Sequence, residues 1–325
     1  MERDIMKIIF GILFMGIIPV LFVCLQRKKG YFWEKEIQRR IIYLLCLGNI
    51  CGILLINENM EMAFSVLMGS TIFHFLVVQG ISLIQNREGN IHRFSEQKIK
   101  GMEYFSQGRK KFMENMDGSN VFLAISYILL LLLCADYLFG QRQAQNVLGR
   151  GDGCVLAVAG VLYFFLEGRK IGWTALREKI RDSLRENLWK KIFILLGLEA
   201  CMLVGSYLLI DGMHFISIHT SILPYIIGFI FLSWCANFIN IDFSSSEEQS
   251  NIYANNQESI FSITILLGLC AIYQSIYISI FQIYDLILFS VISLFFILPI
   301  KIDSRLLGCC RVTAYFALVL YILFR

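Results

Sequence analysis

The sequence predicts an all-α fold, a polytopic integral membrane bundle with about ten transmembrane helices. Three observations predict it. Hydrophobic residues make up 57% of the 325 positions and charged residues only 17%, whereas a soluble domain carries about 25% charged residues. The apolar residues are grouped in runs long enough to cross a bilayer. The basic residues lie almost entirely between these runs and mostly in every second loop, which places them on one side of the predicted membrane.

The apolar runs define the predicted spans, because a helix needs about 20 apolar residues to cross about 30 Å of hydrocarbon. Backbone polar groups in lipid must pair within their own segment, so each span should be helical. Two runs, 154–166 and 312–324, are short and should extend into their flanks. The predicted spans are residues 5–25, 41–56, 63–83, 121–139, 154–166, 192–210, 222–238, 260–280, 286–300 and 312–324.

The distribution of Lys and Arg predicts the orientation. Loops 26–40, 84–120 and 167–191 carry six, seven and eight basic residues, and loop 301–311 carries three. The opposite side carries only five of the 29 basic residues. Short basic loops stay in the cytoplasm, so both termini should lie outside. We therefore expect one transmembrane domain over 1–325, located in the cell (plasma) membrane.

Composition narrows the partners. The net charge of +4 is spread over short loops, which favours contact with the lipid bilayer and argues against nucleic acid. The ten cysteines form no CxxC pair, and Asp211, His214 and His219 lack a clear further ligand, so no metal site is predicted. No Gly-rich nucleotide loop is present, so we expect no cofactor. Any ATPase would be a separate cytoplasmic subunit, and other membrane subunits are possible partners.

A helix with one apolar stripe is predicted at 171–191, outside the bilayer. Its apolar residues recur every three or four positions, and basic and acidic residues lie between them. Such a helix should lie on the headgroup plane, either anchoring the next span or docking a cytoplasmic partner. An amphipathic helix ahead of a span is similar to the entry helices of ABC-2-type export permeases. The stripe consists of Trp173, Leu176, Ile180, Leu184 and Leu188.

Two ionisable residues are predicted near the bilayer midplane. His74 is at the centre of span 63–83, and Glu199 is near the centre of span 192–210. A charge at this depth costs roughly 2.5–3.5 kcal/mol, so such residues usually face the bundle interior and have a partner. They indicate either a polar, proton-coupled path that includes Gln79, or interhelical hydrogen bonds that fix the packing.

The segment Gly149-Arg150-Gly151-Asp152 resembles the GxGD motif of intramembrane aspartyl peptidases. The resemblance implies that Asp136 and Asp152 would share a proton and activate water. Two features depart from the prepilin-peptidase pattern: Cys154 stands where that pattern has Lys, and the charge distribution puts Asp152 outside. The alternative is a turn in which Asp152 favours a helix N-terminus.

The sequence therefore predicts a transport protein, a permease or exporter subunit, whose substrate passes near His74 and Glu199. An intramembrane peptidase that uses Asp136 and Asp152 is the first alternative, although an enzyme is the less favoured class. A membrane-embedded assembly or sensory component that binds partners through its basic helices is the second. No residue pattern names the substrate.

Overall fold

The computed structural model confirms the all-α helical bundle. Apart from two strands of two residues each, the regular elements in the described part of the chain are helices, and they form ten helical segments. Four of these segments are long and apolar enough to cross a membrane, and four more are shorter apolar helices. The structure describes residues 2–19, 21, 35–85, 121–135, 146–171, 188–220, 222–240, 256–297 and 304–325.

Several helices contain a short π-helical segment, at Leu13–Ile17, His74–Val78, Gly228–Leu232 and Ser262–Leu266. The other elements, in chain order, are α1 (Glu2–Ile12), α2 (Lys35–Ile56), α3 (Met60–Phe73), α4 (Gln79–Gln85), α5 (Val121–Cys134), β1 (Val147–Leu148), α6 (Arg150–Ile171), α7 (Leu188–Thr220), α8 (Pro224–Ile227), α9 (Ser233–Asn237), α10 (256–261), α11 (Leu267–Tyr273), β2 (Ile276–Tyr277), α12 (Ile280–Ile297) and α13 (Ser304–Phe324).

The chain divides into two compact units, and the boundary passes through α3. The first unit comprises Met1–Gly69, Gly149–Asn240 and Thr264–Ile276. The second unit comprises Ser70–Leu148, Ile241–Ile263 and Tyr277–Arg325. Each unit draws on distant parts of the sequence.

In the first unit, α1 packs closely along α7 because small residues lie at the contact. A Cβ atom added to Gly11 would come within 2.8 Å of Leu209 Cβ, and one added to Gly205 within 2.8 Å of the Met15 backbone nitrogen. Glycine has no side chain to separate the helices, so at these positions the two helix backbones can approach closely, as is common between helices in membranes. The same contact includes an ion pair of 2.6 Å between Lys7 Nζ and Asp211 Oδ2.

In the second unit, α4 and α13 cross at Gly80 and Gly308. A Cβ atom on Gly308 would lie only 2.6 Å from the Gly80 carbonyl oxygen, so the two backbones touch at this point. At one end of the unit, Arg325 forms an ion pair of 2.6 Å with the fully buried Asp285. This crossing and this ion pair fix α13 against its neighbours.

Four predicted loops are wrong at their boundaries. Helix α7 continues into the predicted loop 211–221 and ends at Thr220. Helix α12 begins at Ile280 and so includes the predicted loop 281–285. The acidic loop 239–259 ends early because α10 starts at 256, and α13 starts inside 301–311. Asp211, Asp285 and Arg311 stand at or beside these predicted boundaries, but each has a protein partner that lets the helix continue.

Other boundaries agree with the sequence or extend it slightly. The two short spans do take residues from their flanks, since α6 covers Arg150–Ile171 and α13 covers Ser304–Phe324. Helices also continue for several residues into the predicted loops 26–40, 84–120 and 167–191. The remaining residues of those three loops lie outside the described residues.

Three contacts agree with the predicted alternation of spans. Lys7 pairs with Asp211, and Arg325 pairs with Asp285. The Ile278 backbone N–H donates a 2.9 Å hydrogen bond to the carbonyl of Asn146. Each contact joins two residues at or near ends of spans that alternation puts on the same, outer side. The absolute orientation stays a prediction from the charge distribution.

Candidate functional site

The second unit contains a cluster of polar side chains buried inside the helices. The side chains of this polar cluster are at most 4% exposed, and they come from the start of the π-helical segment His74–Val78, the start of α4, α10 and α13. A polar group buried among apolar helices is costly unless it is paired, and in a membrane protein it marks a functional candidate. The polar cluster consists of His74, Gln79, Asn256, Glu258 and Arg311.

A π-helical turn brings His74 and Gln79 to one face. The segment His74–Val78 is π-helical, and the Gln79 backbone N–H donates to the His74 carbonyl. In an α-helix, with 3.6 residues per turn, residues five apart point to different faces. The i to i+5 hydrogen bond of a π turn adds one residue to the turn, which brings residues five apart closer to one face. Such turns are frequent at functional sites.

His74 faces a carboxylate. Its Nδ1 atom lies 3.6 Å from Glu258 Oε2, and both side chains are almost completely buried. This distance is longer than a hydrogen bond. It is short enough for a strong electrostatic interaction in a poorly polarisable interior. The pair joins an acid and a base, both buried among helices of the second unit.

Arg311 lies in a pocket of neutral oxygen atoms and aromatic faces. One guanidinium nitrogen donates to Gln79 Oε1 and, at 3.3 Å, to the Phe75 carbonyl. The other is 3.5 Å from the Phe296 carbonyl. The guanidinium carbon lies 4.8 Å and 5.2 Å from the ring centres of Phe75 and Phe296. Within the described residues, no carboxylate lies within ion-pair distance of Arg311.

Gln79 connects Arg311 with α10. Its amide oxygen accepts from Arg311, and its amide nitrogen donates to Asn256 Oδ1. Asn256 is two residues before Glu258 on α10, and Glu258 faces His74. The polar cluster therefore has two parts on the same elements: a hydrogen-bonded chain from Arg311 through two amides, and the His74–Glu258 pair. Hydrogen bonds in such a buried chain polarise one another.

The predicted path residues fall in different units. His74 and Gln79 both belong to the polar cluster. Glu199 lies on α7 in the first unit and is half-buried, with one carboxylate oxygen enclosed and without a hydrogen-bond partner. The three described cluster members that the sequence did not single out are Asn256, Glu258 and Arg311.

The role of Glu199 as a path residue stays a prediction, and a pair of variants tests it. We expect Glu199→Gln to slow transport while the protein still folds, because the amide keeps the shape and loses the titratable charge. Glu199→Leu should in addition lower thermal stability in detergent by about 0.6–2 kcal/mol if the carboxylate also bonds between helices. Normal activity of the Gln variant at every pH would remove Glu199 from the path.

The other predicted sites are less well supported. Asp152 accepts a 2.8 Å hydrogen bond from the Gly149 backbone N–H at the start of α6. This contact agrees with the alternative in which Asp152 belongs to a turn and favours a helix N-terminus. Asp136, its partner in the peptidase hypothesis, lies outside the described residues. So do Trp173, Leu176, Ile180 and Leu184 of the amphipathic stripe, whereas Leu188 begins α7. No group of three His, Cys, Asp or Glu side chains in the described part could hold a metal.

The fold has relatives among solved membrane proteins. The sodium/calcium exchanger from Methanococcus jannaschii, NCX_Mj, matches with a TM-score of 0.53 and 14% identity, over 98% of each chain. The chain therefore shares the fold of this structure. YfkE in its native structure matches with a TM-score of 0.60 and 10% identity, over 98% of this chain and 89% of its own. No protein-family model matches the sequence, and a search of curated proteins finds no match.

The apolar helices and this shared fold make the chain a multi-pass integral membrane protein. NCX_Mj soaked with 100 mM Na+ and 10 mM Sr2+ matches with a TM-score of 0.55, over 97% of each chain. At 10–14% identity, these matches establish the architecture, and they carry no information about which ions this chain binds.

Proposed function

We propose that this protein is an ion transporter of the plasma membrane, and that its cargo passes the polar cluster of the second unit. The observation that carries the proposal is the buried His74–Glu258 pair inside a fold shared with an exchanger. Ionisable side chains are rare within membrane spans and usually mark an ion path or a proton relay. The transport prediction from the sequence and the fold point to the same class.

Glu258 and His74 have complementary roles in this proposal. The carboxylate attracts a positive charge into a region of low dielectric, where an uncompensated ion would be costly. The imidazole accepts or gives up a proton as the carboxylate changes partner, since its two nitrogens serve as donor and acceptor. Binding of a cation at Glu258 therefore favours proton release from His74. This coupling predicts exchange of the cargo against protons.

An exchanger uses an existing ion gradient, so the purified chain should work in lipid vesicles without an ATPase. The test is reconstitution into liposomes with a pH-sensitive dye inside and an imposed gradient of Na+, K+ or Ca2+ across the membrane. We expect one of these gradients to change the internal pH in protein-containing vesicles and to leave protein-free vesicles unchanged. Absence of protein-dependent ion movement under every gradient would refute the proposal.

The separate ATPase expected from the sequence remains a prediction of the exporter alternative.

A further inference from the structure

We infer that Arg311 is a positioning residue of the polar cluster: its guanidinium holds the π turn His74–Val78, and the turn directs His74 towards Glu258. The inference rests on the proposed function and adds a residue to its site. His74 and Glu258 lie on different helices, so the 3.6 Å between Nδ1 and Oε2 depends on the backbone that carries His74. A functional pair needs neighbours that hold its geometry.

The π turn takes one backbone donor away from the carbonyl of Phe75. In an α-helix the Gln79 N–H would donate to this carbonyl, four residues earlier. Here it donates to the His74 carbonyl, five residues earlier. Phe75 is fully buried, and the loss of a donor from a buried carbonyl is costly unless another group replaces it. A donor from a neighbouring helix at this carbonyl therefore stabilises the π form of the turn over the α-helical form.

Arg311 donates to that carbonyl. One of its guanidinium nitrogens donates to the Phe75 carbonyl at 3.3 Å and also to Gln79 Oε1. It therefore contacts both residues whose α-helical hydrogen bond the π turn replaces. The guanidinium carbon also lies 4.8 Å from the centre of the Phe75 ring. The planar guanidinium presents its donors in fixed directions, so it holds the carbonyl and the amide in one geometry.

A second π turn of the chain is built in the same way. In Gly228–Leu232 the Ser233 N–H donates to the first carbonyl of the turn, five residues earlier. The second carbonyl, that of Phe229, accepts from the Ser233 hydroxyl, which reaches it from within its own helix. Phe75 stands at the same position of its turn, but its side-chain donor comes from α13, 236 residues further along the chain. The π turn of the polar cluster therefore depends on a tertiary contact.

The first test is hydrogen exchange of the full chain in detergent, which does not depend on transport. In Arg311→Gln, we expect the segment 74–80 to exchange its amide hydrogens about tenfold to a hundredfold faster than in the wild type, the change expected when a hydrogen bond from a charged group is lost. The segment 228–234 contains the other π turn and is the matched control, where the rate should stay the same. No change at 74–80, or an equal rise in both segments, would overturn the inference. If Arg311→Gln does not fold, Arg311→Lys takes its place with the same expected pattern, because lysine lacks the planar group.

The second test removes one residue from the turn. A π turn has one more residue than an α-helical turn, and Val77 is the most exposed of its five residues, at 8%. With Val77 deleted, the His74 carbonyl becomes the ordinary α-helical partner of the Gln79 N–H, and the Phe75 carbonyl regains a backbone donor. Arg311→Gln should then raise exchange in this segment far less in the deleted chain than in the full one, because both changes act on the same turn. An equal rise in both chains would contradict the inference.

Ion flux in vesicles separates this inference from the proposed function. Arg311→Gln retains both His74 and Glu258, so its flux should fall together with the faster exchange at 74–80 if the turn positions the pair. Normal flux in a chain whose turn has loosened would overturn the positioning role. Absence of flux in the wild type would instead count against the proposed function alone, since the exchange measurements would still report on the turn.

Discussion

Replacing Glu258 with Gln should nearly abolish transport while the protein still inserts and folds. Glutamine keeps the size and the hydrogen-bonding capacity of the side chain but removes its charge. A cargo cation at this depth would then lack its counter-charge, at a cost of roughly 2.5–3.5 kcal/mol. That cost corresponds to about a hundredfold loss of rate. The measurement is ion flux in vesicles together with thermal melting in detergent.

The matched control makes the same chemical change at an exposed position. Glu58 lies in the turn between α2 and α3 and has a positive φ of 56°. Glu58→Gln should leave both flux and melting temperature unchanged. His74→Gln should resemble Glu258→Gln, because each variant removes one member of the same pair. Equal flux in the Glu258→Gln and Glu58→Gln proteins would show that the pair plays no part in transport.

Replacing Gly308 with Ala should destabilise the second unit by about 1–3 kcal/mol, the usual range for overpacking a close contact. The new methyl group would lie 2.6 Å from the Gly80 carbonyl oxygen, a backbone atom that cannot rotate away. The two helices must separate, and Arg311, one turn further along α13, must move from Gln79. We therefore expect a lower melting temperature in detergent and reduced flux from the same variant.

A second glycine serves as the control. Gly48 lies in α2, and a Cβ atom there would have no neighbour within 4 Å. Gly48→Ala should be neutral or stabilising, since alanine is the better helix former by about 1 kcal/mol. If both variants melt alike, the close crossing of α4 and α13 does not hold the unit together. A loss of stability at Gly308 without any loss of flux would separate the crossing from the site.

The sequence predicted the architecture well because lipid imposes simple constraints on length and composition. Apolar runs located the helical segments, and His74 was identified because a titratable residue at the centre of a span is unusual. Gln79 was associated with His74 by its position in the same run. The predicted architecture, a multi-pass helical membrane bundle, agrees with the fold that the chain shares with NCX_Mj and YfkE.

The missing cluster members could not be identified from hydropathy alone. Glu258 and Arg311 lie near the ends of apolar runs, where a charge normally marks a loop, and Asn256 lies in an acidic, polar segment. Only tertiary contacts show that α10 and α13 carry these charges into the bundle. A π turn of five residues, such as His74–Val78, leaves no recognisable periodicity in the sequence, so the backbone hydrogen bond from Gln79 to His74 was not predictable.

The most direct measurement of the central claim is the change of internal pH in vesicles that contain a pH-sensitive dye when the cation outside is switched. At a fixed starting pH, wild-type vesicles should lose internal protons on a step of the cation that they transport, because the proposed exchange moves protons against the cargo. Glu258→Gln vesicles with the same protein content should show no such change. A change of internal pH of the same size in that variant would contradict the account, because ions would then cross this protein without using the His74–Glu258 pair.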